Sequence, residues 1–301
     1  MHVAVLLSTF NGEPWLVDQL DSVLSQTHAD LTLVVRDDGS TDGTHQVLAE
    51  YASRDPRVRW SAGPNLGAAR SFLALLANVG TGQAAAFCDQ DDVWEPDHLE
   101  RALLALGREP TGRPTLWCSD VLVCDEGLTP LRRHGGLRVK PSFTNALVEN
   151  VATGCTIVLN GAAVDLLKRA APDSPVMHDA WCYLVVAAMG RVLYDPCPSV
   201  RYRLHPGNTM GLSDGWRRSL VARSKRAWRG PHVGAWSRQA QDLEIAYGLV
   251  LSDPVCKELR AFLAGRDSVT ARLRYAVVGA AHRQQRRETV LMKVLQLLGR
   301  V

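Results

Sequence analysis

Residues 31–44 read LTLVVRDDGSTDGT. Leu31 to Val35 is an apolar run of strand length, and it stops abruptly at Arg36-Asp37-Asp38-Gly39-Ser40. Asp-Gly favours a turn. From Thr44 to Tyr51 the apolar spacing becomes helical, with Asp42 placed to cap the helix. This unit of strand, polar turn and helix recurs on both sides. Upstream, Val3 to Ser8 is a short apolar run that meets the turn Asn11-Gly12, and Trp15 to Gln26 carries apolar residues at 16, 20, 23 and 24. Downstream come a short strand at Val58 to Trp60, the turn Asn65-Leu66-Gly67 and a helix from Ala68 to Ala77. Ala84 to Cys88 is the next strand. It ends at Asp89-Gln90-Asp91-Asp92, before a helix over Pro96 to Leu106 with Pro in its first turn. This alternation predicts an α/β fold with a mostly parallel central sheet covered by helices. Ligands of such sheets bind beyond the carboxyl ends of the strands. Ser8-Thr9, Asp37-Asp38 and Asp89 to Asp92 all fall at such ends.

The rest of the chain is less regular. Leu116 to Cys124 reads as a further strand, and Arg132 to Pro141 as a basic, Gly-containing loop that could serve as a lid. Asn150 to Leu159 resumes an apolar pattern, Ala163 to Ala170 is a short helix, and a helix runs from His178 to Met189. Val192 to Tyr194 and Val200 to Tyr202 read as two short strands, and His205 to Gly211 as a polar loop. From Trp216 onward the pattern is helical, with arginine throughout.

Composition narrows the class. The 301 residues are 46% hydrophobic and 22% charged, which excludes a disordered chain, a collagen, a coiled-coil rod and a small disulfide scaffold. The longest apolar stretch, Ala180 to Met189, is far short of the roughly 20 residues of a membrane span. The N-terminus has no basic region ahead of its apolar run, so it reads as a strand and not as a signal peptide. The seven cysteines lack CxxC spacing and are expected as reduced, buried thiols of a cytoplasmic protein. The net charge of +3 hides an asymmetry. Residues 216–301 hold 17 Lys and Arg against 6 Asp and Glu, whereas residues 1–215 carry a balance of −8. A basic segment suits nucleic acid, anionic lipid or an acidic partner surface.

The strand-end carboxylates carry the chemistry. Asp89 and Asp91 are two apart, so in extended backbone they point to one side and repel each other. A hard divalent cation, Mg²⁺ or Mn²⁺, relieves that repulsion, and phosphate oxygens fill its open positions. A carboxylate at Asp37 or Asp38 can accept the ring N–H of uracil or thymine. Asp179, at a helix start, is expected to stay ionised in the local dipole, poised to take a proton from a hydroxyl. His205 has a role only if it lies across the rim from Asp91, where its imidazole completes a metal shell.

Ser8 to Gly12, Gln19 to Thr27, Arg36 to Thr44, Asn65-Leu66-Gly67 and Asp89 to Trp94 together resemble, in order, the N-terminal half of a family 2 glycosyltransferase. His178-Asp179-Ala180-Trp181 and Tyr202-Arg203-Leu204-His205 with Asn208 resemble the second half of its rhamnosyltransferase-like branch. The resemblance spans about residues 3 to 211 and implies a GT-A fold and inverting transfer from a nucleotide sugar. It implies that Thr9, Asn11, Glu13, Asp37, Asp38, Asp89 and Gln90 hold the donor, and that Asp91 and His205 hold the metal. It makes Asp179 the catalytic base. The family's usual Glu-Asp is His-Asp here, as in that branch. Gly154, His178 and Trp181 are expected to border the acceptor. The donor implied is a dTDP- or UDP-sugar, dTDP-L-rhamnose first and UDP-hexoses or UDP-N-acetylhexosamines second. The acceptor is a glycan or lipid-linked glycan.

Two other classes compete. A nucleotidyltransferase would carry a Gly-rich loop with a basic residue after the first strand, yet no Lys or Arg precedes Arg36. A nucleic-acid binder would use the basic tail, but the tail lacks regularly spaced aromatics and any nucleic-acid motif, so no nucleic-acid partner is expected. The expected division is a catalytic domain over 1–215, with a nucleotide half to about 110 and an acceptor half to 215, and a basic helical region over 216–301. Arg217, Arg218, Arg223, Lys225, Arg226 and Arg229, interleaved with Trp216, Leu220 and Trp228, are expected to rest on anionic lipid at the inner membrane face.

Overall fold

The computed structural model describes residues 1–173, 175–208 and 234–300. The tail residues named above for lipid contact, between Trp216 and Arg229, lie outside the described residues, as does the end of the loop after Asn208.

The repeating first third folds as its periodicity dictates. Strand β1 (Val3–Thr9) is followed by α1 (Glu13–Leu24), β2 (Leu31–Asp37), α2 (Thr44–Arg54), β3 (Val58–Ala62), α3 (Ala68–Ala77) and β4 (Ala84–Cys88). These four strands pair in parallel, with β1 between β2 and β4. β1 and β4 are buried along almost their whole length because helices cover both faces of the sheet. Asp42 is one residue outside the cap position. Gly43 caps α2, and Asp42 Oδ1 accepts bonds from the backbone N–H and hydroxyl of Thr44 at 3.1 and 2.6 Å.

After β4 come β5 (Val93–Trp94), α4 (His98–Leu106), β6 (Thr115–Cys124) and β7 (Pro130–Arg133). They are followed by α5 (Phe143–Ala146), a 3-10 turn (Gly154–Thr156), β8 (Val158–Leu159), α6 (Gly161–Leu167), α7 (His178–Met189) and β9 (Arg191–Arg203). The sheet order is β3-β2-β1-β4-β8-β6-β9-β5, and β7 pairs antiparallel with the end of β6 off this path. The short β8 runs antiparallel to both β4 and β6 and joins the parallel half to the rest. The two strands expected at 192–194 and 200–202 are one strand, β9. It pairs with β6 from Arg191 to Asp195 and again from Val200 to Arg203, and the register shifts between. Pro196 and Pro198 occupy the gap; proline cannot donate to a ladder and belongs at such a bulge. The loop expected from Arg132 starts as strand β7, and the N–H groups of Arg138 and Val139 donate to Gln284 Oε1 at 2.8 and 2.9 Å.

Four helices follow the undescribed stretch: α8 (Ala235–Tyr247), α9 (Asp253–Asp267), α10 (Val269–Val278) and α11 (Arg286–Leu297). Leu243, Tyr247, Leu259 and Phe262 are buried in the same apolar cluster as Phe72, Phe87 and Trp181. The Tyr247 hydroxyl donates to the Leu166 carbonyl at 2.8 Å. Cys88, Cys118, Cys124, Cys155 and Cys182 are buried free thiols as expected, while Cys197 is exposed and Cys256 half-buried.

Candidate active site

The three strand ends meet through their backbone and side chains. The Asp38 N–H donates to the Thr9 carbonyl at 2.8 Å. The Thr9 hydroxyl and the Phe10 N–H both donate to Gln90 Oε1, at 2.7 and 2.9 Å. A cleft of about 520 Å³ opens at this rim. Asp38, Asp89, Gln90 and Asp91 line it from the parallel half, and Gly154, His178 and Asp179 line it from the second half. Asp91 and Asp179, 88 positions apart in sequence, therefore share one cavity.

Several residues expected to hold a donor lie behind this wall and brace it. The carboxylate of Asp37 is fully buried; it accepts the Gly39 and Ser40 N–H groups at 3.1 and 3.0 Å and lies 2.8 Å from His45 Nε2. Burial pushes its carboxyl up, but the bonds from Ser40, His45 and Gly39 outweigh this and hold it below the ordinary carboxylate range. Asp38, not Asp37, is the member of the pair that lines the cleft, where it accepts the Gly67 N–H at 2.8 Å. Thr9 is buried under Gln90. Asn11 and Glu13 accept the N–H groups of Thr41 and Gly43, at 2.8 and 2.9 Å, and so tie the loop after β1 to the loop after β2. Gly12 permits the close approach, since a Cβ there would sit 2.5 Å from the Thr9 hydroxyl and from Gln90 Oε1.

On the acidic side, His205 Nε2 lies 2.7 Å from Asp91 Oδ2, and Asn208 Nδ2 donates to the same oxygen at 3.4 Å. Asn208 Oδ1 accepts the His205 N–H at 2.7 Å, and the Trp15 ring lies 5.1 Å from the imidazole. The expected pairing of Asp91 with His205 is thus formed. Asp89 also groups with Asp92 and Cys155, whose potential metal-donor atoms lie within 4.8 Å of one another. β4 ends at Cys88, so Asp89 to Asp92 turn and do not continue in extended backbone. Burial, then repulsion from Asp91 and Asp179, pushes the Asp89 carboxyl up to about 8. Burial, Asp91 and Asp89 likewise raise Asp92, whose Oδ2 has no hydrogen-bond partner among the described residues. Asp89 and Asp91, crowded carboxylates that both line the cleft, with His205 beside Asp91, fit a hard divalent cation.

Asp179 is the second residue of α7 and accepts the Ala180 N–H at 2.7 Å. Burial outweighs the bonds from Ala180, Asn150 and Gly154 and raises its carboxyl to about 6, above what the helix terminus alone implies, yet still low enough to leave it mainly ionised at neutral pH. A carboxylate of that basicity is well matched to accept a proton near neutral pH.

Beside it, the His178 imidazole is 1% exposed and stacks on Phe72 at 4.0 Å, with Phe87 edge-on at 4.7 Å. Burial holds it down at about 3, so the ring is neutral. A Cβ on Gly154 would sit 3.1 Å from His178 Nε2, so glycine keeps this part of the floor open. Trp181 does not border the cleft. It points into the core, fully buried, with its ring 6.4 Å from Tyr247. Residues that the sequence reading did not single out include Phe72, Asn150, Thr153 and Trp236, all on the cleft wall. None belongs to a motif, so no local signal pointed to them.

Residues 4–140 match the family model for glycosyl transferase family 2. An uncharacterized glycosyltransferase of Nostoc sp. is 26% identical over 215 residues, which are 69% of this chain and 66% of that protein. A dTDP-rhamnosyl transferase of Shigella flexneri, RfbG, is 27% identical over 222 residues, 69% of this chain and 74% of its own. The crystal structure of Staphylococcus aureus TarS 1–349 in complex with UDP superposes with a TM-score of 0.57 at 13% identity, covering 92% of this chain and 75% of that one. The mannosyltransferase PcManGT of Pyrobaculum calidifontis, in complex with GDP-Man and Mn²⁺, superposes with a TM-score of 0.51 at 19% identity, covering 99% of this chain and 85% of its own.

Proposed function

We propose that this chain, whose residues 4–140 match the family model for glycosyl transferase family 2, transfers in its cleft a sugar from a nucleoside-diphosphate donor to a hydroxyl, with inversion at the anomeric carbon. The observation that carries this reading is the convergence of Asp89, Asp91 and Asp179 on one cavity. Asp38, Asp89 and Gln90 face the nucleotide sugar, while Thr9, Asn11, Glu13 and Asp37 hold the loops that present them. Asp179 accepts the proton of the attacking hydroxyl as its oxygen bonds to the anomeric carbon. The nucleoside diphosphate leaves from the opposite face with the bonding electron pair. Asp89, Asp91 and His205 are the residues that would hold a divalent cation. Such an ion, Mn²⁺ or Mg²⁺, offsets charge on a departing diphosphate. Gly154 and His178 border the acceptor.

dTDP-L-rhamnose is the first-choice donor; the relative named dTDP-rhamnosyl transferase supports it. UDP-hexoses and UDP-N-acetylhexosamines come second. The acceptor is a glycan or a lipid-linked glycan. The chain divides into a catalytic region to about residue 215 and a basic helical region beyond it, through which the enzyme attaches to an anionic membrane surface on the cytoplasmic side. Among the described residues no helix is long and apolar enough to cross a membrane.

The test is a panel of dTDP-, UDP- and GDP-sugars scored by thermal shift and by nucleoside diphosphate release, with Mn²⁺, with Mg²⁺ and with chelator. Binding and release with one base, abolished by Asp91→Asn, is the expected result. No stabilisation by any nucleotide sugar in either metal overturns the reading.

A further inference from the structure

Helix α11 wears its apolar stripe outward. Val290, Leu291, Val294, Leu297 and Leu298, the residue just past its end, are exposed at 63, 42, 44, 38 and 50%. At 3.6 residues per turn these five fall within an arc of about 120°. Its buried positions are instead Met292 and Gln296, and Gln296 Oε1 has no hydrogen-bond partner among the described residues. A helix packed to stabilise an isolated domain turns its leucines and valines inward. This one buries a glutamine beside Met292 and leaves all but one of its leucines, Leu295, to the solvent. The neighbouring α10 repeats the feature, with Val269, Leu273 and Val277 at helical spacing and exposed at 65, 53 and 79%.

Charge identifies what covers the stripe. Residues 268–300 hold seven Arg and Lys against a single acid, Glu288. Arg286 and Lys293 lie at one edge of the stripe on the helical wheel, and Arg287 lies within it. A second copy offering the same face would bring like charges together. An anionic lipid surface supplies both partners, acyl chains for the stripe and headgroups for its basic flank. The length of the helix agrees: twelve residues rise about 18 Å, well short of the ~30 Å hydrocarbon core, so the helix lies in the interface and does not span it.

We infer that the outward face of α11, flanked by α10, is the surface that seats this protein on an anionic bilayer. The inference rests on the membrane attachment included in the reading above and locates it; it is independent of the sugar chemistry. It is tested on the full chain by flotation with vesicles of phosphatidylcholine alone and of phosphatidylcholine with about 30% phosphatidylglycerol. The expected result is binding to the anionic vesicles at least about tenfold stronger than to neutral ones, weakened by salt. Val294→Asp with Leu298→Asp removes that binding, while the melting temperature and the thermal shift by nucleotide are unchanged because both positions are already exposed. Arg286→Gln with Lys293→Gln weakens it without touching the stripe.

Three results overturn the inference: negligible binding to both vesicles, variants that float like the wild type, or a dimer in sedimentation equilibrium that the Asp variants dissociate. The second places attachment elsewhere on the chain, and the third makes a second copy the occupant. Vesicle binding is read without turnover, so loss of the transferase reading leaves these outcomes unaffected.

Discussion

Asp179 is the residue on which the proposed chemistry turns, and two opposing effects set its state. The α7 terminus and the Ala180 N–H favour the anion, while burial favours the neutral acid and prevails, raising the carboxyl to about 6. A base acts only when ionised, so the rate of transfer should rise with pH and level off above about 6, falling close to tenfold per unit below it. Asp179→Asn should lower kcat by about 10²–10⁴-fold and abolish that acid limb, with the fold retained in circular dichroism. A variant with wild-type kcat would remove Asp179 from the role. Gly154 offers a second residue-level check. Alanine there meets His178 Nε2 at 3.1 Å, and the imidazole is wedged against Phe72 and cannot retreat. Gly154→Ala should therefore lower kcat/KM by at least about tenfold, or ~1.4 kcal/mol, while donor binding measured by calorimetry stays near wild type.

At the scale of elements, the site depends on how α7 and the 3-10 turn are delivered to the rim. β8 is only two residues long, yet its antiparallel pairing to β4 sets the turn holding Gly154 against the end of the parallel half. After α7 the chain must turn at once into β9, and Gly190 makes the turn against the Pro114 carbonyl. A Cβ at that position would lie 2.0 Å from the Pro114 oxygen, a backbone atom with no freedom to yield. Gly190→Ala should cost about 1–3 kcal/mol and lower the melting temperature by several degrees in calorimetry. An unchanged melting temperature would mean that the α7–β9 connection adapts. Spacing alone located α7 at its observed ends, from His178 to Met189. It divided β9 in two, because proline at 196 and 198 interrupts the pattern of a strand that the sheet nevertheless carries through.

For the molecule as a whole, the C-terminal helices serve the catalytic part and are not a separate appendage. Leu243, Tyr247, Leu259 and Phe262 share a core with Trp181, and the Gln284 N–H donates to Glu149 Oε2 at 2.7 Å. Deleting residues 234–301 should expose this core, giving an aggregating or loosely packed protein that binds the dye ANS. A soluble, cooperatively melting fragment 1–233 would refute that coupling. The whole-molecule charge distribution has its own consequence. With carboxylates crowded at one rim, chelation should abolish transfer, and His205→Ala should raise the metal concentration needed for half-maximal rate by about tenfold or more.

The alternating strands and helices and the acidic strand ends were legible from the chain alone, whereas the pairing of Asp91 with His205 was expected only through the family resemblance. Turn chemistry and periodicity act over a few residues and are written where they act. Tertiary structure alone decided the rest. It brought Asp179 into the cleft with Asp91, buried Asp37 and Trp181 behind the wall, and raised the basicity of Asp179 above what its helix terminus implied. It also turned the apolar stripe of α11 toward solvent. The common reason is that a sequence shows that a face exists and what it is made of, whereas burial, which sets both pKa and partner, depends on what another part of the chain lays over it.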